Sequence, residues 1–176
     1  MRADDVSKGV IFLPYIMGER APYWDTEAKG AFLGLTMVTG RKEIIRSVLE
    51  GVVFHLRLIL EILEENVGNI SEIRLIGGGS KSIFLQQLMA NIWGKKIIPM
   101  RYMGEATALG AAIAAMVSLG IKKDFYDAES LIKKSGEIIP DYNKYSKYTK
   151  FYKIFTKAYL DLKKINKQLD KLIKRL

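Results

Sequence analysis

The stretch Arg74-Leu75-Ile76-Gly77-Gly78-Gly79-Ser80-Lys81-Ser82 constrains this chain more than any other. An apolar strand signal ends in three glycines and runs into a helix. Backbone without Cβ atoms can come close to a ligand. The first N–H groups of the following helix, at the positive end of its dipole, suit a phosphate. Such turns also occur without a ligand, so the stretch commits the chain to strand–turn–helix before it commits it to a function.

The flanking segments extend this unit. Ile73–Ile76 reads as a short buried strand, with Ser80 placed to cap a helix over Ile83–Trp93, and Lys96–Met100 reads as the next strand. Ala106–Leu119 is a helix of small and apolar residues, expected to pack on more than one side and to stop at Gly120. Strand–helix–strand–helix order over 72–120 implies a parallel βαβ unit. Upstream, Val10–Met17 is a β-rich apolar run closed by Gly18. Ala31–Thr36 is a second short strand, interrupted by Gly34. Between Arg41 and Asn66, Ile44, Val48, Val52, Leu56, Ile59 and Leu63 recur at helical spacing. Asp127–Lys134 reads as a short helix, Glu137–Pro140 as a bridge and Tyr142–Leu176 as a long helix.

Charge bears on the choice of partner. The net +9 of the 176-residue chain lies wholly in residues 142–176, with eleven basic residues against two acids; the remainder balances at 17 of each. A basic tail on a neutral body argues against a nucleic-acid-binding domain, whose footprint would spread over the fold. No apolar run is long enough to span a membrane, and Met1-Arg-Ala-Asp-Asp-Val6 lacks the apolar stretch of a signal peptide. A cytoplasmic location is the expectation. The absence of cysteine excludes disulfides, thiolate metal sites and a Cys nucleophile.

Three blocks, in this order, carry a resemblance. They are Phe12-Leu-Pro-Tyr-Ile-Met-Gly-Glu-Arg-Ala-Pro-Tyr-Trp-Asp25; Gly30-Ala-Phe-Leu-Gly-Leu35 followed by Glu43-Ile44 and Ser47-Val-Leu-Glu50; and Gly77–Ser82 with Glu105-Ala-Thr-Ala-Leu-Gly-Ala-Ala112. With them the chain resembles the C-terminal half of the FGGY carbohydrate kinases, within the actin-like, ribonuclease H-like ATPase superfamily. The resemblance implies an α/β fold, the C-terminal lobe of that architecture, with a mixed sheet, packed helices and a long C-terminal helix. Residues 1–141 would be the nucleotide-binding lobe without its first strands, and 142–176 a basic amphipathic helix.

The resemblance also implies a reaction, transfer of the ATP γ-phosphate to a sugar hydroxyl. Xylulose is the first candidate and gluconate the second, since Gly18-Glu-Arg-Ala-Pro22 is similar to both kinds of kinase. ATP/ADP and Mg2+ are the implied cofactors. Gly77, Gly78 and Gly79 would lie along the phosphates, Ser82 beside the adenine, and Gly34 where the strand passes the nucleotide. No catalytic residue or metal ligand is expected here. The family's general-base Asp, sugar pocket and phosphate hairpin precede the block at Phe12, so the chain reads as a fragment, a truncated product or one part of a split enzyme, inactive alone. A sheet without its outer strands leaves an edge for a partner lobe or a second copy. The alternative from another class is a non-catalytic interaction module derived from such a kinase.

Single residues add less. His55, the only histidine, reads as a packed helical residue. Glu19, Arg20 and Asp25 share a loop, either as functional groups or as an ion pair shaping it. Lys81 reaches a phosphate or solvent, Glu105 is a helix N-terminal charge, and Trp24 and Trp93 read as core or interface. In the tail, Tyr145, Tyr148, Tyr152, Phe155, Tyr159, Leu162, Asn166, Leu169, Ile173 and Leu176 alternate three and four apart. The stripe fits either an amphipathic helix packed on its own domain or a short self-associating coil registered by Asn166.

Overall fold

A computed structural model describes residues 7–102 and 104–174. The segment Met1–Val6 and the last stripe residue, Leu176, lie outside the described residues. The rest forms two compact units, one within Met1–Asn69 and Tyr142–Leu176, the other Ile70–Asp141.

In the first unit, β1 (Ile11–Leu13) pairs antiparallel with β2 (Ala31–Leu33), Phe12 opposite Phe32. The apolar run of β1 is longer than its strand because Pro14 has no N–H to give the ladder. Helix α1 (Arg41–Val67) starts with Gly40 N–H donating to Glu43 Oε2 at 3.1 Å. It crosses β1 at Gly51, where a Cβ would collide with the Phe12 carbonyl oxygen. Helix α4 (Tyr142–Ile173) packs aromatic rings on both: Phe155 lies 5.6 Å from Phe54 and 6.3 Å from Tyr15, and Tyr159 lies 5.0 Å from Tyr15.

The side of α1 that is buried is not its apolar stripe. Ser47, Glu50, Gly51, Val53, Phe54, Arg57 and Leu60 are buried, whereas Val52, Leu56 and Leu63 are 42%, 36% and 50% exposed. The inner face needs a glycine for the strand and carries paired charges, so hydropathy does not mark it. Glu50 accepts from Arg46 Nε at 2.7 Å, Tyr148 Oη at 3.1 Å and Ser7 N at 3.2 Å. The Arg57 guanidinium lies over the rings of Tyr145 and Tyr152, at 5.1 and 4.3 Å.

The tail stripe is used within its own unit. Tyr148, Tyr152, Phe155, Tyr159 and Asn166 are buried, and Asp170 pairs with Lys29 at 3.3 Å, tying the helix to the loop before β2. Asn166 is therefore not free to set the register of an intermolecular coil. Only beyond it do Leu169 and Ile173 become exposed.

In the second unit, β3 (Glu72–Leu75) and β4 (Lys96–Pro99) pair in parallel, and α2 (Ile83–Trp93) makes the crossover, as expected for a βαβ unit. The predicted bridge is formed by Ile138, antiparallel to Ile97 on the outer side of β4. Among the described residues the other edge of β3 is unpaired. The expected short helix after residue 126 is a 3-10 turn, Asp127–Leu131. Helix α3 (Ala106–Ser118) ends where Gly120, at φ +70°, donates to Val117 O and Ile121 to Met116 O. The expectation that α3 packs on several sides is corrected. Ile113 alone is buried, because one face of the helix meets the unit and the alanines from Ala108 onward are exposed.

Candidate functional site

The glycine turn begins where β3 ends. Gly77 takes φ +90°, a conformation that L side chains rarely adopt, and Gly78–Lys81 form a 3-10 turn. Ser82, not Ser80, caps α2: it is extended, and its Oγ accepts from Leu85 N at 3.4 Å. The 3-10 turn uses up Ser80 and delays the helix to Ile83. The first turn of α2 holds no acidic side chain, so the positive end of its dipole is unopposed by sequence-local charge.

Gly78 and Gly79 differ from Gly77. Neither has a positive φ; a Cβ on Gly78 would meet nothing within 4 Å, and one on Gly79 only Leu85 Cδ2 at 3.9 Å. The chain's own packing does not require glycine there. Open space in front of bare backbone is what a phosphate needs, so the turn fits a nucleotide's phosphates. At the C-terminal ends of the same two strands, Ile76, Met100, Tyr102, Ala106, Leu109 and Ile113 line an apolar cleft of about 180 Å³.

Gly34 lies in the other unit, and its glycine has a local explanation. Its φ is +80°, and a Cβ would stand 2.5 Å from the Gly9 carbonyl oxygen. Of the residues expected at the site, Gly77, Gly78, Gly79 and Ser82 form one continuous turn, while Gly34 belongs to the β1–β2 unit.

The loop between β1 and β2 is held from both ends. Glu19 and Asp25 exchange backbone hydrogen bonds of 2.7 Å. Buried Glu19 accepts from Ala21 N at 2.7 Å and faces His55 Nε2 at 3.4 Å. Asp25 Oδ2 accepts from Tyr159 Oη at 2.8 Å. The loop's charges are thus paired to the helices rather than to Arg20, which stays exposed. Trp24 is 77% exposed at φ +46° and belongs to no core; Trp93 is buried in the second unit.

His55 is the packed residue expected, its ring edge-on to Tyr15 at 5.5 Å. Burial lowers its pKa and outweighs the nearby Glu19 carboxylate, which raises it. The unfolded chain then binds a proton at His55 more readily than the folded one, and this contribution to stability is lost as pH falls below about 6.5. His55→Gln is expected to reduce the drop in unfolding midpoint between about pH 7 and pH 5, measured by urea titration at each pH. An unchanged drop would refute the assignment.

Among the described residues no cluster of three or more His, Asp or Glu side chains could hold a metal ion, and no helix is long and apolar enough to cross a membrane. The profile of the FGGY family of carbohydrate kinases, C-terminal domain, matches residues 1–119. The chain belongs to the FGGY family.

A glycerol kinase of Clostridium perfringens is 38% identical over 151 residues, 85% of this chain and 30% of the relative. Among solved structures, a xylulose kinase of Lactobacillus acidophilus superposes with TM-score 0.82 at 33% identity, covering 89% of this chain and 32% of that one. A gluconate kinase from the same organism gives 0.81 at 32%, with the same coverage. A Plasmodium falciparum glycerol kinase crystallised with ADP gives 0.74 at 30%, covering 88% of this chain and 31% of that one. The architecture of this FGGY domain is that of the C-terminal lobe of the actin-like, ribonuclease H-like fold. The chain spans about 30% of the curated relatives' length.

The pairing of Glu50 with Tyr148 and the seating of Lys81 against Gly104 were not foreseen. The only sequence signal for the first was Arg46 four residues before Glu50, and the second had none.

Proposed function

We propose that this FGGY domain is the nucleotide-binding part of an ATP-dependent kinase that phosphorylates a hydroxyl of a sugar or polyol. The observation that carries the reading is the open Gly77–Gly79 turn at the C-terminal end of a parallel strand, in a chain whose family is one of carbohydrate kinases. Gly77, Gly78 and Gly79 would bind the phosphates through backbone N–H groups, with Ser82 at the start of α2. Bound ATP would supply the phosphoryl group, and Mg2+ would come with it as counter-ion. Such transfer asks the protein for positioning and charge stabilisation rather than covalent chemistry.

Xylulose is the acceptor read from the Phe12–Asp25 loop. Glycerol is a second reading, favoured by the 38% identity to a glycerol kinase; gluconate follows. The general base and most of the acceptor pocket belong to polypeptide outside this chain, a partner lobe in a cytoplasmic enzyme.

Calorimetric titration with Mg·ADP tests the reading. Gly78→Asp, which puts a carboxylate where a phosphate would sit, is expected to weaken binding at least about a hundredfold. In a coupled assay the chain alone should release no ADP on addition of xylulose, gluconate or glycerol. Sugar-dependent release would overturn the placement of the acceptor site elsewhere. Failure of the native chain to bind Mg·ADP would favour an interaction module, for which the outward alanine face of α3 is the supporting observation.

A further inference from the structure

We propose that the outer face of α4 docks on an anionic lipid surface, with the helix lying flat on the headgroups rather than spanning the bilayer. Nothing in this depends on nucleotide binding. The 32 residues of α4 make a rod about 48 Å long, and it is not apolar enough to cross a membrane. Its inner side is the aromatic stripe buried in the first unit. On the opposite side, Lys150, Lys153, Lys157, Lys164, Lys167 and Lys171 follow at spacings of three, four, seven, three and four, and all are exposed. The one gap is filled by Leu160, three after Lys157 and four before Lys164, and it too is exposed. The row therefore runs along one side of the helix for about six turns.

The charge of this face has no counterpart in the chain. Lysines three and four apart on a helix repel one another, and carboxylates at the same spacing relieve that. Residues 142–176 hold only Asp161 and Asp170, and Asp170 is taken by Lys29 and Lys174. Asp161, the carboxylate beside the row, is within ion-pair distance of neither Lys157 nor Lys164, and among the described residues none of the six lysines has an ion pair. An external anionic surface would neutralise them. The aliphatic side chains choose among anions. Leu160 stands in the row and Ile154, Ile165 and Leu172 along one edge of it, each half or more exposed. Apolar groups among lysines suit the boundary of headgroups and acyl chains, where the lysine stems lie on the apolar layer and the ammonium groups reach the phosphates. A nucleic-acid backbone offers the aliphatics nothing, and arginine suits it better, whereas ten of the eleven basic residues here are lysine. A second copy would set lysine row against lysine row without an acidic partner.

Co-sedimentation of the full chain with lipid vesicles is the test. Vesicles of equal parts phosphatidylcholine and phosphatidylglycerol should bind the chain, and phosphatidylcholine alone should not. Each lysine near an anionic surface contributes roughly fivefold to partitioning. Lys153→Gln, Lys157→Gln and Lys164→Gln together should therefore weaken binding about a hundredfold. Leu160→Gln with Ile165→Gln should weaken it about tenfold with the charge unchanged. All five positions are exposed, so circular dichroism should show the same helix content and melting in every variant, which separates lost docking from lost folding. A native chain that does not sediment with the mixed vesicles overturns the proposal, as does native-like binding by the lysine variant. Duplex DNA bound as tightly as the mixed vesicles, and indifferent to the Leu160 and Ile165 changes, overturns it in favour of a phosphate backbone. A dimer in sedimentation velocity that the aliphatic variant breaks, with no vesicle binding, overturns it in favour of a second copy.

Discussion

Gly51→Ala is expected to destabilise the chain by about 3 kcal/mol or more, even though it places the better helix former in the middle of α1. In an open helix that exchange stabilises by up to about 1 kcal/mol. Here the sign should reverse. The methyl would be driven into the Phe12 carbonyl oxygen, and neither partner can yield. Phe12 is fixed in β1 and its ring packs 4.6 Å from Phe32, while Gly51 sits on the buried face of α1 with Glu50 and Phe54. The strain can be relieved only by moving the helix off the strand, which opens the contacts of Phe54 with Phe155. Gly110→Ala in α3 is the internal control. A Cβ there meets nothing within 4 Å, so the same exchange should be neutral or stabilising. Urea unfolding of both variants decides the matter. A stabilised Gly51→Ala would mean that α1 does not approach β1 as closely as described.

The two glycines show where sequence is informative and where it is not. Both stand in helical patterns, and nothing in the local sequence separates one against a strand from one facing solvent. The extents of α1, α2 and α4 were legible because long periodic segments fix them. Which face of α1 turns inward was not, since Glu50 and Arg57 look polar until Tyr148 and Tyr152 arrive from α4, far along the chain. The same holds at the candidate site. The Gly77–Gly79 turn was legible because three glycines after an apolar strand have few structural uses. The cap was assigned to the wrong serine, because an intervening 3-10 turn leaves no composition signal. At Gly34 the pattern was read as room for a nucleotide, while the chain itself demands glycine through a positive φ and the Gly9 carbonyl. A Gly34 variant would therefore lose stability whether or not a nucleotide binds, which makes Gly78 the better probe.

Glu50→Ala should cost about 3–5 kcal/mol, the effect of stripping a buried charge network of its centre. Glu50 is 2% exposed and gathers Arg46, Tyr148 and the Ser7 N–H. Its removal takes the carboxylate away from the Arg46 guanidinium and the Tyr148 hydroxyl, which stand 2.7 Å apart, and from the Ser7 N–H. The Tyr148 pKa is raised, first by burial and then by the Glu50 carboxylate, so the phenol does not ionise to take the place of the lost charge at neutral pH. Combining Glu50→Leu with Arg46→Met and Tyr148→Phe removes the three polar side chains of the network at once. That triple variant should recover most of the loss, because leaving one buried partner unpaired costs more than replacing all of them with apolar groups. Equilibrium urea unfolding of the single and triple variants measures the difference. If the triple variant is as unstable as Glu50→Ala, the network contributes net stability of its own. If it recovers, the charges are a device for registering α4 on α1, and the stability of this unit comes from its aromatic core.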